Sequence, residues 1–466
     1  MAEKSMGKEM YEKLSYSKKN VFECSSSEKI KEIYDYSKGY MNYLDNSKTE
    51  REATVESVSM LEAAGFTEYK FGDRISVGDK KYLNHHGKSV IAFKVGEEDI
   101  EKDGIRIIAA HIDSPRIDLK QVPVYEDSGM GFFKTHYYGG VKKYQWTAIP
   151  LALHGVMVKA DGEIVNVVIG ESDEDPVFYI NDLLPHLGQR QAQEPLGTAI
   201  SGESLNILVG GLPYADDEVS EKIKLTVLSI LNDKYGVTEE DFLSAELSLV
   251  PAFRARDIGF DRALIGSYGH DDRVCAYTAI TALTNCSDTN RTVMVILADK
   301  EEIGSDGISG MQSDFLVDII DEISSNLGKN RIVVRSKSKC LSADVAAAYD
   351  PNFPDVYEKK NSAIISCGTA MCKFTGSKGK NGTNDASAEF VGFIRRILDE
   401  NSVVWQTCEL GKVDFGGGGT VAKYIANHNI ETVDIGVPVI SMHAPYEVVS
   451  KADVYSTYEA FSAFIK

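Results

Sequence analysis

The chain has no apolar stretch approaching the roughly 20 residues that cross a bilayer, which argues against a membrane role. Its opening residues, MAEKSMGKEMYEKL, lack the apolar core of a secretory signal, so a cytoplasmic location is expected. Basic residues are scarce: 50 Lys and Arg against 70 Asp and Glu leave a formal net charge of -20. Binding a phosphate backbone needs clustered positive charge, so no nucleic-acid partner is expected. The seven cysteines, Cys24, Cys275, Cys286, Cys340, Cys367, Cys372 and Cys408, are odd in number, scattered and without a C-x-x-C pair. That pattern indicates neither a zinc ribbon nor a catalytic thiol, and predicts reduced, mostly buried thiols. The glycine run Gly416 to Gly419 lacks the Lys-Ser/Thr of a P-loop and the G-x-G-x-x-G context, so it reads as backbone that approaches a substrate closely.

With 466 residues and 43% hydrophobic content, the chain can bury a large core and is expected to form more than one domain. Five short stretches carry the chemistry: AAHIDSP, GHDDR, ADKEEIGS, LSAD and SMHAP. The apolar run Ile105 to Ala110 reads as a buried strand ending at His111, with Asp113 two residues on and able to support the imidazole. Glu301 and Glu302 follow the apolar run Thr292 to Ala298, and adjacent residues there point in different directions. One of them can bind a metal while the other takes a proton from the water that the metal activates. Asp271 and Asp272 precede a helical stretch, Val274 to Leu283, where one of them could simply cap the helix. Asp344 and His443 follow two further strand-like segments. Two histidines and three carboxylates at such positions are ligands that suit zinc, cobalt or manganese, and strand ends are where sites form in open α/β sheets.

The organisation is coarse but readable. Residues from about 8 to 65 look helical, with Ile30, Ile33, Tyr34, Met41 and Leu44 at helical spacing and Gly65 closing the run. From about 121 to 252 the texture turns polar and glycine-bearing, with alternating strands such as Ile164 to Ile169 and no metal motif. This segment interrupts the ligand set, as an inserted domain would. From about 253 onward strand and helix alternate, including a helix over Asp385 to Leu398 with Phe390, Ile394 and Leu398 on one face.

In AHIDSPRIDLK, DKEEIGS and SMHAPYE the chain resembles the aspartyl aminopeptidase family of cytosolic metallopeptidases, nearly end to end, and more distantly the tetrahedral deblocking aminopeptidases. The resemblance implies an α/β fold: a helix-covered mixed-sheet catalytic domain over residues 1–120 and 253–466, with an inserted, mainly β dimerisation domain over 121–252. It implies two divalent ions per subunit, zinc first with cobalt or manganese as alternatives. His111, Asp271 and Asp344 would hold one ion and Asp271, Glu302 and His443 the other, with Glu301 as general base and Asp113 orienting His111. His186, in a Pro-His-Leu context, would reach a neighbouring subunit's site, and Lys373 would contact an acidic side chain or the backbone of a peptide substrate. The family assembles as dodecamers built from dimers, so a homo-oligomer is expected.

Three departures bear on specificity: VKKYQWTAIPL follows Tyr138-Gly139-Gly140, Asp271 sits in HDDR, and Lys300 stands where the family commonly has asparagine. They leave a preference for N-terminal Asp or Glu open beside a broad or neutral deblocking-type specificity. A related metal-dependent deacylase or carboxypeptidase is the other alternative.

Overall fold

Polar caps divide the N-terminal region, whose spacing predicts helix over about 8 to 65, into the helices Met6–Leu14, Val21–Cys24, Ser27–Asn46 and Glu50–Ala63. The Ser26 hydroxyl accepts the Lys29 amide, and Thr49 and Glu52 cap each other reciprocally, so the helix starts are written in the sequence. The computed structural model describes residues 5–286 and 289–466. The first four residues of MAEKSMGKEMYEKL lie outside them.

Behind these helices runs a nine-stranded mixed sheet. Its order is Thr67–Glu68, Lys80–His85, Ser89–Lys94, Val293–Ala298, Arg106–His111, Lys339–Ser342, Glu431–Gly436, Thr369–Cys372 and Trp405–Thr407. Four neighbours in its centre, from Val293–Ala298 to Glu431–Gly436, are parallel, with Ala298 opposite His111 and Ser342 opposite both Ala109 and Asp434. Their C-terminal ends therefore meet along one edge. Alternate residues of the central strands serve two cores: Ile108, Ala110, Val295 and Leu297 face one, while Ile107, Ala109, Met294 and Ile296 face the other. Fully burying one such aliphatic side chain contributes about 1.5 to 3 kcal/mol. Two-sided burial explains why these strands read as continuous apolar runs rather than alternating ones.

A seven-stranded sheet draws every strand from residues 116 to 251 and pairs them all antiparallel. Its inner face, including Ile117, Leu153 and Leu249, packs with Trp146 in a core of its own. The predicted strand Ile164–Ile169 lies at its edge, where Ile164 is 64% and Val168 42% exposed. A third, five-stranded sheet pairs Leu264–Ser267 with Glu447–Ser450, which in turn pairs with Pro438–Ile440. The helix expected over Asp385 to Leu398 is observed as Ala388–Glu400, with Phe390, Ile394 and Leu398 buried.

The chain is thus α/β with mixed sheets, as the alternation of strand and helix implies. Among the described residues no helix is long and apolar enough to cross a membrane.

Candidate metal centre

His111 ends the strand Arg106–His111, and Glu301 and Glu302 lie in a short turn three residues beyond the neighbouring strand Val293–Ala298. Asp344 lies two residues past Lys339–Ser342. The parallel register therefore delivers these side chains to one place. The turn that carries the two glutamates is tight: Lys300 adopts φ +68° and Gly304 φ +98°. A left-handed backbone suits asparagine far better than lysine. Lys300 therefore holds this conformation at a steric cost.

Asp271 enters from the start of the helix His270–Thr284. The backbone there is not helical at Asp271 (φ -80°, ψ 106°) or Asp272 (φ -121°, ψ 31°), and neither side chain caps the helix. The capping reading gives way to two other tasks: Asp272 Oδ2 accepts the His111 amide at 3.3 Å, and Asp271 turns its buried carboxylate toward His111 and His443. Asp271 Oδ1 lies 3.1 Å from His111 Nε2, while Oδ2 lies 3.2 Å from His443 Nε2. Asp344 Oδ1 is 3.8 Å from His111 Nε2, and Glu302 Oε2 is 3.4 Å from His443 Nε2. Two groups result, His111 with Asp271 and Asp344, and Asp271 with Glu302 and His443, each with potential ligand atoms within 4.8 Å of one another. Asp271 belongs to both.

The donor set fits divalent cations. Asp271 Oδ1 and Glu302 Oε1 are buried and make no hydrogen bond, a costly condition for carboxylate oxygens unless a cation satisfies them. Burial, reinforced by Asp344, Asp113 and Asp271, pushes the Glu301 carboxyl up to about 8 despite His111 nearby. Burial opposes the charge on His443, but its hydrogen bond to Asp271 and the charges of Glu302 and Asp271 prevail and raise it to about 10. Such displaced values mark a cluster of carboxylates short of positive charge.

Asp113 is wholly buried. Its Oδ1 lies 3.3 Å from His111 Nδ1 and accepts the Glu301 amide at 3.1 Å, while Oδ2 accepts the Glu302 amide at 3.2 Å and the Tyr138 hydroxyl at 2.8 Å. Tyr138 and Gly140, whose carbonyl lies 3.1 Å from His443 Nδ1, escaped the sequence reading of the site. The glycine pair beside Tyr138 was their visible signal: a Cβ on Gly140 would come within 3.0 Å of His443 Nδ1, and one on Gly139, at φ +75°, within 3.3 Å of Glu302 Cβ.

The two groups open into a cavity of about 460 Å³ whose walls include Val345, Ala346, Glu409, Leu410, Lys423 and Met442. Gly417 to Gly419 line it too. Close packing of loops already demands two of the four glycines: a Cβ on Gly416 would meet the Leu410 carbonyl at 1.8 Å, and one on Gly417 the Gly376 carbonyl at 2.0 Å. Gly418 and Gly419 have open space beside them, where a substrate could approach, although the Gly418 carbonyl already accepts the Gly376 amide. Cys372 and Cys408 in the same wall form a disulfide, with Cα atoms 5.2 Å apart, which corrects the expectation of reduced thiols for this pair. Thr369–Cys372 and Trp405–Thr407 pair in parallel, Met371 opposite Thr407, so the next residues along fall side by side. Their separation of 36 residues hid this in the sequence.

The structure does not bring Lys373 or His186 into this cavity. Lys373 forms an ion pair with Asp385, which Lys380 also contacts, and His186 is exposed in a turn.

A model of the family described as Aminopeptidase I zinc metalloprotease (M18) matches residues 43–465. A probable M18 family aminopeptidase 1 of Clostridium acetobutylicum is 47% identical over 455 residues, spanning 96% of this chain and 98% of the relative. The crystal structure of an M18 family aminopeptidase from Thermotoga maritima superposes with a TM-score of 0.92 at 42% identity, covering 97% of this chain and all of that one. The S. cerevisiae mApe1 dodecamer shares the fold, with a TM-score of 0.76 at 22% identity over 92% of this chain and 96% of its own.

Proposed function

Because this chain belongs to the M18 family of aminopeptidase I zinc metalloproteases and is a hydrolase of peptide N-termini, we propose that it works with two divalent ions per subunit. His111, Asp271 and Asp344 hold one, and Asp271, Glu302 and His443 hold the other. The observation that carries this reading is Asp271, which presents one carboxylate oxygen to each histidine. Zinc is the first choice, and the same donors also accept cobalt or manganese.

Once bound, paired ions of this kind polarise the scissile carbonyl and lower the pKa of the attacking water. Glu301, which is left out of both groups, takes the proton of that water at its carboxylate and returns it to the leaving amine. Asp113 fixes Glu301 by accepting its amide hydrogen, and orients His111 through Nδ1. Gly418 and Gly419 leave backbone room for an extended peptide.

The largely apolar cavity wall, with Val345, Ala346, Leu410 and Met442, favours a neutral N-terminal side chain; Glu409 would repel an acidic residue and Lys423 attract one, while Lys373 is already paired with Asp385. A preference for Asp or Glu is the second reading, and it requires Lys423 to outweigh Glu409 or Lys373 to leave Asp385. A panel of aminoacyl reporters, free and N-acetylated, assayed with zinc, cobalt and manganese decides between them. Fast release of neutral residues from free amines alone is expected. Dominant Asp and Glu cleavage would restore the role of Lys373, and cleavage of the acetylated forms would favour a deacylase.

Residues 121–252 are read as an inserted unit serving dimerisation. The support is a sheet drawn wholly from residues 116 to 251 whose edge strand leaves Ile164 and Val168 exposed. The S. cerevisiae dodecamer of the same fold supports a homo-oligomer built from such dimers, in which His186 would reach a neighbouring subunit. Light scattering on the purified chain tests the assembly, and a monomer would remove the role given to His186.

A further inference from the structure

Glu447 opens the strand Glu447–Ser450, opposite Ser267, and is 1% exposed. Its carboxylate serves two backbone amides from distant parts of the chain. Oε1 accepts the His443 N–H at 2.7 Å, and Oε2 accepts the Asp271 N–H at 3.1 Å. These are the two residues whose side chains face each other at 3.2 Å in the second of the two groups described above. Neither amide has another place to go. Asp271 lies outside helical geometry, and His443 sits in the left-handed region at φ +65°, where a residue with a Cβ needs outside support. A buried acceptor oxygen on each amide supplies it.

We propose that Glu447 is the positioning residue of the second ion's group: it sets the distance between the Asp271 and His443 side chains by gripping the backbone under both. The remaining contacts complete the frame without duplicating it. The Gly140 carbonyl fixes the His443 ring through Nδ1, and the Ser114 hydroxyl, at 2.5 Å, donates to the Asp271 carbonyl. His111 and Asp344 receive nothing from Glu447, so the first group depends on it only through Asp271. Glu447 acts through these residues and does not itself touch a substrate.

This inference rests on the two-ion reading, and the test separates the two. Metal-free, full-length protein is titrated with cobalt(II) and followed by visible absorption, beside urea denaturation of the same samples. Wild type takes up two equivalents. Glu447→Gln keeps the size of the side chain, but sets an NH2 group against one of the two amides. It binds the first equivalent only slightly more weakly than wild type, because Asp271 alone of that group is disturbed, and the second 10- to 100-fold more weakly, by analogy with other residues that orient metal ligands. Glu447→Asp keeps both acceptor oxygens but withdraws them by one methylene, and it weakens the same equivalent by a similar factor. Selective loss in either folded variant supports the assignment. Equal weakening of both equivalents, or lower stability with two unchanged equivalents, overturns it in favour of a purely structural carboxylate. A wild type that binds a single equivalent removes the two-ion reading itself.

Discussion

The nine-stranded and seven-stranded sheets are built from similar apolar material but contribute differently to the site. In the first, four central parallel strands end on one edge, and His111, Glu301, Glu302 and Asp344 follow from three of those ends. In the second, neighbouring strands run in opposite directions and their ends are split between two edges, so no candidate ligand comes from it. What it does send is the segment Tyr138, Gly139 and Gly140, which touches Asp113 and His443 from outside. Parallel strands concentrate functional groups, while the antiparallel sheet adjusts their orientation.

Four changes would break or sharpen that contrast. The largest effect belongs to the first sheet: Glu301→Gln is expected to lower kcat by about 10² to 10⁴-fold while metal content, measured by atomic emission, stays at the wild-type level. Retained activity would leave the chemistry without its proton acceptor. Next, Gly140→Ala forces a methyl against the His443 ring and should weaken metal binding by about 10- to 100-fold, read by competition with a chelator. If affinity does not move, the second sheet is a passenger. Tyr138→Phe removes one hydrogen bond to Asp113, worth about 1 kcal/mol net, and should cost about fivefold in kcat/KM.

The fourth change leaves turnover aside and concerns stability at the seam between the sheets and their flanking helix. His154, on the strand Leu151–Val158, lies 2.7 Å from Glu52 and 3.0 Å from Glu171. Burial opposes its charge, but the hydrogen bonds and charges of Glu171 and Glu52 raise it to about 9. A folded-state value above the ordinary 6.5 means that the stabilisation is complete below pH 6.5 and is lost as pH rises through 9. Urea denaturation should show up to about 3 kcal/mol disappearing across that interval. His154→Gln should flatten the profile there, and an unchanged profile would show that the seam does not depend on this ion pair.

The sequence made the strand-end residues legible because two-sided burial writes long apolar runs, and a charged residue after such a run stands out. His111, Asp344 and His443 stood out on that ground, whereas the choice of Asp271 over Asp272 and of Glu302 over Glu301 came from the resemblance to known metallopeptidases; the structure gathers all five. Asp272 was less readable, since an acidic residue before a helix looks like a cap until the backbone shows otherwise. The pairing of Lys373 with Asp385 was not legible, because nothing in the local sequence marks the two as partners. The Cys372–Cys408 bridge and the grip of Glu447 on Asp271 depend on the register between segments distant in sequence. A linear pattern carries no trace of such register, and motif reading stops at that boundary.

Asp113 holds the amides of both Glu301 and Glu302 with a single carboxylate, and this limits how the site can change over evolutionary time. Two adjacent residues with separate duties share one anchor, so a shift that improved the placement of one would drag the other with it. Selection can then retune turnover only by replacing the groups around this unit, never by sliding its halves apart. Variation in such a chain should collect in the cavity wall and leave the Asp113–Glu301–Glu302 unit rigid, so that new substrates are gained without rebuilding the chemistry.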